Sequence, residues 1–376
     1  MRIRPFRLSA ALVLPAALAL TACSSAPADG GATVAVTAGD GTCQVARTSV
    51  PAGVVTFSVA NKGSGATELY VYDETGTTIL SEVENVGPGV TRDLVVELVE
   101  GTAVVGCRPD DASDLIRTDV TVTASGATAA ASTSPALAAA VEKYRAYVAA
   151  ESDALLDRTG EFVAAVKAGD VATAKTLYPE ARLHWERIEP VAEVFADLDP
   201  ALDAREDDVE PGTDWTGWHR IEKALWVDGS TAGMGTIADK LLADTTTLVG
   251  LIPTVELAPS NLGNGAAALL EEVAEGKVTG EEERYSRTDL WDFQANVEGA
   301  FEAYSALQPV LSEKDAALDT TLATRFDALF TELATHAEGE GFVGYDTLTE
   351  AQIRVLADKV DALAEPLSRV TAAVVR

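Results

Sequence analysis

Ser125-Gly126-Ala127-Thr128-Ala129-Ala130-Ala131-Ser132-Thr133-Ser134-Pro135 divides this chain of 376 residues into two textures. Small and polar residues closed by a proline cannot bury a core, so residues 125–135 read as a flexible linker. Before the linker, apolar residues alternate. Thr33-Val34-Ala35-Val36, Val54-Val55-Thr56-Phe57-Ser58-Val59, Leu69-Tyr70-Val71-Tyr72, Leu94-Val95-Val96-Glu97-Leu98 and Asp119-Val120-Thr121-Val122 are short runs separated by Gly, Asn, Asp and Pro. That pattern predicts an all-β sandwich over residues 32–124, a length that suits one small domain. After the linker the period becomes helical. Val141, Tyr144, Val148, Leu155 and Leu156 recur at three- and four-residue steps, as do Leu177, Ile188, Val191, Phe195 and Leu198. Residues 136–376 therefore predict an all-α bundle of about eight helices.

The N-terminus reads as an address. Arg2, Arg4 and Arg7 precede an apolar run at residues 8–20, which Leu20-Thr21-Ala22-Cys23 closes. This is the pattern of a bacterial lipoprotein signal over residues 1–23, cut before Cys23 and lipidated there. Residues 24–31 then serve as a tether. The apolar run is too short for a spanning helix, so the expected location is extracytoplasmic, membrane-attached through lipid alone, in the periplasm or cell-wall space. The net charge of −31 repels phosphate and excludes nucleic acid as a partner. It favours a cationic ligand, although acidic composition also serves solubility.

Within the helical part, Trp215-Thr216-Gly217-Trp218-His219-Arg220-Ile221-Glu222 carries the clearest chemistry. His219 and Glu222 are three apart and share one helical face. An imidazole beside a carboxylate is a common half-site for a transition metal, although most such pairs are solvated ion pairs. The preceding helix offers Glu186 and Glu189 on one face, with Pro190 removing an N–H and kinking the chain. Periodicity places His184 on the stripe of Ile188, Val191, Phe195 and Leu198, facing the core, and turns Glu186 elsewhere. Asp197, Asp199, Asp203, Glu206, Asp207 and Asp208 follow as an acidic loop. Oxygen donors near one imidazole suit iron, manganese or zinc better than copper(I). The loop lacks EF-hand spacing. No His-Glu-x-x-His or Gly-x-Ser-x-Gly sequence is present. His336, before a glycine-rich break, is expected at the surface, and Trp215, Trp218 and Trp226 in the core.

Arg182-x-His184-x-Glu186-Arg187-Ile188-Glu189-Pro190, Leu198-Asp199-Pro200 with Asp203-Ala204-Arg205, Gly217-x-His219-Arg220-x-Glu222-Lys223-Ala224-Leu225-Trp226, and Asp289-Leu290-x-Asp292-Phe293-Gln294-Ala295-Asn296-x-x-Gly299 resemble the EfeO family. These are extracytoplasmic iron-binding components of EfeUOB iron uptake systems. The resemblance spans the mature chain, domain order included. It implies a cupredoxin-like β domain and an imelysin-like, peptidase-type helical domain with a His-x-x-Glu metal site. It also implies delivery of Fe2+ or Fe3+ to an EfeU-type permease, with an EfeB-type haem peroxidase as companion. Carried over to this sequence, the site falls on His219 and Glu222, with Glu186 as a third ligand and Asp203 as a fourth. Copper or zinc are alternatives to iron.

A cupredoxin-like fold usually holds copper with two His, a Cys and a Met. Residues 32–123 contain neither His nor Met, which argues against blue-copper electron transfer. Cys43, Glu68 and Cys107 match the family pattern of an early Cys, a midway Glu and a late Cys, and Glu82 and Glu84 add oxygen donors. Two readings stand open. Cys43 and Cys107 form a disulfide, which an exporting compartment favours and which contributes about 2–4 kcal/mol, or they join Glu68 as thiolate ligands for copper or iron. The function expected is iron capture and hand-over without catalysis. The rivals are an imelysin-type metallopeptidase using His219 and Glu222 for zinc, for which no general base is identifiable, and a polysaccharide-binding lipoprotein with a structural metal.

Overall fold

The structure is a computed structural model and describes residues 31–109, 115–124, 134–195, 198–209 and 212–376. The expected signal, Cys23, nearly all of the tether and linker, and Asp197 lie outside the described residues. Nine strands open the described chain: β1 (Ala32–Gly39), β2 (Thr42–Val45), β3 (Ser49–Pro51), β4 (Gly53–Asn61), β5 (Thr67–Tyr72), β6 (Ile79–Val86), β7 (Thr91–Leu98), β8 (Gly101–Arg108) and β9 (Ile116–Thr123). They form two sheets, ordered β2-β1-β4-β7 and β3-β9-β8-β5-β6. β1 runs parallel to β4, and β3 parallel to β9; the other pairs are antiparallel. Alternation sends Val34, Val36, Val55, Phe57 and Val59 of one sheet and Leu69, Val71, Val105 and Val120 of the other into one apolar core, as period-two side chains of a sandwich must.

A disulfide joins Cys43 to Cys107 and so ties β2 of one sheet to β8 of the other. Bonded sulfurs are not thiolate ligands. Glu68, the third member of that trio, accepts a 2.6 Å hydrogen bond from the Tyr70 hydroxyl and pairs with Arg108 at 2.8 Å.

Helices follow: α1 (Pro135–Ala168), α2 (Val171–Glu186), α3 (Glu189–Ala192), α4 (Asp199–Asp203), α5 (Gly217–Trp226), α6 (Gly235–Leu251), α7 (Pro259–Glu275), α8 (Asp289–Lys314), α9 (Ala316–Ala334), α10 (Glu350–Leu367) and α11 (Val370–Val375). The excess over the expected eight comes from α3, α4 and α11, which are only 4, 5 and 6 residues long and carry too few apolar repeats to show a period. Ser134 caps α1 by accepting from the Leu137 N–H, with Pro135 in the first turn, where its missing N–H costs nothing. α1 is the spine of the bundle and packs against α2, α6 and α8 through residues such as Tyr144, Val148, Leu155 and Phe162. No helix among the described residues is long and apolar enough to cross a membrane.

The β and α parts pack against each other. α7 lies on β6 and β7: Asn261 Nδ2 donates to Leu80 O at 2.6 Å, and Asn264 Nδ2 to Ser81 Oγ and Val95 O, each at 2.8 Å. Arg92 pairs with Glu271 across the same junction. Val95 joins the helical core rather than the sandwich core. The linker's composition therefore does not mean that the two parts are independent.

Candidate metal centre

α2 supplies Arg182 and Glu186 from its last turn, four residues apart and both fully buried. The chain then leaves helical geometry at Ile188 (φ −117, ψ 5) and restarts as α3 with Glu189 and Pro190 in its first turn. This break corrects the expected orientation of His184 and Glu186. Ile188, Val191 and Phe195 lie beyond it and do not extend the face of α2. Glu186 is accordingly enclosed, while His184 is at the margin, its Nδ1 2.6 Å from Glu151 Oε2. α8 closes against this break. A Cβ on Gly299 would stand 2.5 Å from Arg187 O, so only glycine allows the approach.

α5 brings His219 and Glu222. It begins at Gly217, where φ is +83 and a Cβ would meet Leu202 O at 2.1 Å. Glycine is required twice there, for the left-handed conformation and for contact with the end of α4. That contact places His219 beside Asp203. His219 is 1% exposed and each ring nitrogen faces a carboxylate pair. Nδ1 is 3.2 Å from Glu222 Oε2 and 4.0 Å from Glu283 Oε1; Nε2 is 3.3 Å from Asp203 Oδ1 and 3.4 Å from Glu282 Oε1. Nε2 makes an aligned hydrogen bond with none of them. The Tyr285 and Ser286 N–H groups fix Glu222 by donating to its Oε1 at 2.8 and 2.6 Å. Tyr178 OH and Ser286 Oγ donate to Glu283 at 3.1 and 2.6 Å.

A wider network surrounds this histidine. Arg182 is buried against Glu186, Asp203, Glu282, Glu283 and Asp292. Lys277, equally buried, contacts Glu186, Glu189 and Glu272. Asn296 donates to Glu186 Oε2 at 3.1 Å and Glu189 Oε2 at 3.0 Å. Carboxylates thus outnumber the two buried permanent cations severalfold in a largely buried space, a costly arrangement unless protons or an added cation balance it. The titration behaviour reflects that imbalance. Burial, with Glu222 and Asp292 nearby, pushes Glu283 well above the ordinary carboxylate range, and burial holds Asp289 up to about 7. Burial works against ionisation of Asp203 too, but Arg182 and His219 outweigh it and depress its pKa. Glu282 falls to about 2 because nearby His219 and the charge of Lys277 overcome burial. Burial and Arg182 oppose an imidazolium at His219, yet the close carboxylates of Asp203, Glu222 and Glu282 raise it well above its usual value.

Among the described residues, four groups could each close on one ion: His219 with Asp203 and Glu282; His219 with Glu222 and Glu283; Glu186 with Glu189 and Asp203; and Glu189 with Glu193 and Glu272. The structure therefore brings His219, Glu222 and Asp203 together. Glu186 reaches the histidine only through Asp203. Sequence reasoning missed Glu282 and Glu283. Their only signal was the run Glu281-Glu282-Glu283 after Gly280, which reads like any solvated charge cluster. His336 is 4% exposed, contrary to the surface position expected; it packs at the turn after α9, with Nε2 3.6 Å from Glu332. Trp218 is fully buried, tilted against Phe162 and edge-on to Tyr178, while Trp215 covers the outer side of α5 beneath Arg220 and Lys223.

Residues 140–370 match the family model described as imelysin, and residues 11–110 match that of a cupredoxin-like domain. A Yersinia pestis protein named iron uptake system component EfeO is 38% identical over 343 residues, with 89% of each chain covered. A protein of the same name from Escherichia coli O1:K1 / APEC is 39% identical over 342 residues, covering 89% of this chain and 90% of the relative. Another, from Yersinia pseudotuberculosis serotype I, is 38% identical over 339 residues, with 89% of each covered.

Proposed function

The chain belongs to the EfeO family, and on that premise we propose that it is the extracytoplasmic iron-binding component of an EfeUOB-type uptake system. Relatives named as iron uptake components support a role in iron uptake. The observation that carries the finer reading is His219 Nε2: a buried ring nitrogen facing Asp203 and Glu282 without an aligned hydrogen bond. A cation seated between those groups supplies the missing partner and offsets the surplus of carboxylates. One imidazole with several carboxylates is a hard donor set that suits iron in either oxidation state. Asp203 and Glu282 share the unbonded Nε2 of His219, Glu222 and Glu283 face its Nδ1, and Glu186 stands behind Asp203. The ion takes oxygens from the pair facing one ring nitrogen, while the opposite pair holds the ring in place. Hand-over goes to an EfeU-type permease, with an EfeB-type haem peroxidase in the same system and a lipid on Cys23 holding the chain at the membrane.

The imelysin match raises peptidase chemistry, but the burial of this centre speaks for storage and release. His219 is 1% and Glu222 0% exposed, whereas hydrolysis needs an open coordination position that a peptide can reach. Anaerobic calorimetry with Fe2+ tests the reading. The His219→Ala/Glu222→Ala double variant, shown folded by circular dichroism, is expected to lose the tight binding of the parent chain. Unchanged affinity in the double variant would remove the proposal.

A further inference from the structure

Lys277 opens a single 3-10 turn (Lys277–Thr279) between α7 and α8 and is fully enclosed. Its Nζ lies 2.6 Å from Glu186 Oε2, 2.8 Å from Glu272 Oε1 and 3.4 Å from Glu189 Oε2. An ammonium ringed by three carboxylate oxygens occupies a seat that a small metal cation would also accept. Two of the ion-closing groups meet at that seat: Glu186, Glu189 and Asp203 on one side, and Glu189, Glu193 and Glu272 on the other. The first shares Asp203 with the His219 group, so the seat borders the proposed iron site. Asn296 provides an independent sign. It is fully buried, its Nδ2 faces Glu186 and Glu189, and its Oδ1 has no partner. Its amide nitrogen thus gathers the same two carboxylates that Lys277 neutralises. Glu272, with 35% of its side chain exposed, marks the end of the seat nearest solvent.

We propose that Lys277 is a built-in counter-ion, a tethered ammonium that fills the Glu186–Glu189 seat, keeps a second metal ion out and leaves the His219 side as the seat for exchangeable iron. The inference rests on the reading that this cavity holds metal. It gives the lysine a positioning and selectivity role distinct from that of a ligand. A flexible four-carbon stem with a compact charge suits it, because the charge neutralises the inner carboxylates without coordinating iron.

The test compares the full chain with Lys277→Gln and Lys277→Arg, using Fe2+ under anaerobic conditions and Mn2+ as a redox-silent probe. Stoichiometry is read by calorimetry and stability by thermal melting. Lys277→Gln is expected to bind one more ion per chain than the parent. Its melting temperature should fall without metal and be raised by Mn2+ more than that of the parent. Lys277→Arg, which keeps the charge, should match the parent in stoichiometry. Adding Lys277→Gln to His219→Ala/Glu222→Ala should restore one ion to a chain that has lost its own. A lysine with a merely structural role predicts a destabilised Lys277→Gln that gains no ion and no extra metal response, and that result overturns the proposal. If Lys277→Gln folds only when Mn2+ is supplied, the proposal is supported; if it stays unfolded with Mn2+, the proposal fails. Failure of the His219 reading is separate: it appears as parent-like binding in His219→Ala/Glu222→Ala, whatever residue 277 is.

Discussion

Gly217→Ala is the sharpest probe of how the backbone builds the proposed metal centre. The added Cβ would lie 2.1 Å from Leu202 O and 2.6 Å from Leu202 C, both of them backbone atoms at the end of α4. Ordinary contact needs about 3.5 Å, so α5 must retreat from α4 by roughly 1.4 Å. Overpacking of this kind costs about 1–3 kcal/mol, and the left-handed φ of +83 adds about 1–2 kcal/mol for a residue with a side chain. The 3.3 Å approach of His219 to Asp203 depends on the same contact and should open. Iron affinity is expected to fall roughly 10–100-fold, as when a supporting group of a metal site is lost. Gly229→Ala is the control. Its φ is +59, but a Cβ there meets nothing within 4 Å, so it carries only the conformational cost of about 1–2 kcal/mol. Urea unfolding measures both stabilities, and calorimetry with Fe2+ measures both affinities. Equal effects of the two substitutions, or full affinity in Gly217→Ala, would refute the claim that the α4–α5 contact sets the site.

Two further outcomes follow from the charge network and the disulfide. Burial raises Asp289 to about 7 and Glu283 well above the usual range, while the carboxylates around His219 raise it despite burial. Such groups bind protons more tightly when folded, so their stability contribution is present below their unfolded values and is lost as pH rises through the raised ones. Asp203 and Glu282, depressed by their cationic partners, act in the opposite sense, and their contribution is lost only in strong acid. The melting temperature of the metal-free protein should therefore drop as pH rises above the unfolded carboxylate range and through about 7, where folded Asp289 titrates, with iron adding most at the upper end; a rise across that interval in metal-free protein would contradict the assigned shifts. Reducing Cys43–Cys107, which closes a 64-residue separation, should cost about 4 kcal/mol by chain entropy and leave iron stoichiometry unchanged. An extra iron bound on reduction would instead point to thiolate ligation in the β part.

The division of the chain was legible because its cues are local. Period two before residue 125 and period 3.6 after residue 135 each arise from contacts that repeat along one element. His219 and Glu222 were legible for the same reason, three residues apart on α5. Asp203 could be suspected from its acidic stretch. Glu282 and Glu283 could not, since only tertiary packing carries them some 60 residues along the chain to His219, where Glu222 accepts from Tyr285 and Ser286 in the same turn. Glu186 was turned the wrong way because the stripe was drawn through Ile188, where the helix breaks. The counter-ions Arg182 and Lys277 had no sequence signal as such. A buried lysine and a solvated one look alike until the carboxylates around them are placed. The docking of α7 on β6 and β7 was equally silent, since it rests on Asn261 and Asn264, polar residues that pattern reasoning assigns to a surface.

Anomalous diffraction at the iron edge from crystals of the iron-loaded chain tests the central claim most directly. A strong peak is expected within bonding distance of a His219 ring nitrogen and of at least one oxygen among Asp203, Glu222, Glu282 and Glu283. Iron bound tightly elsewhere, with no peak beside His219, would contradict it.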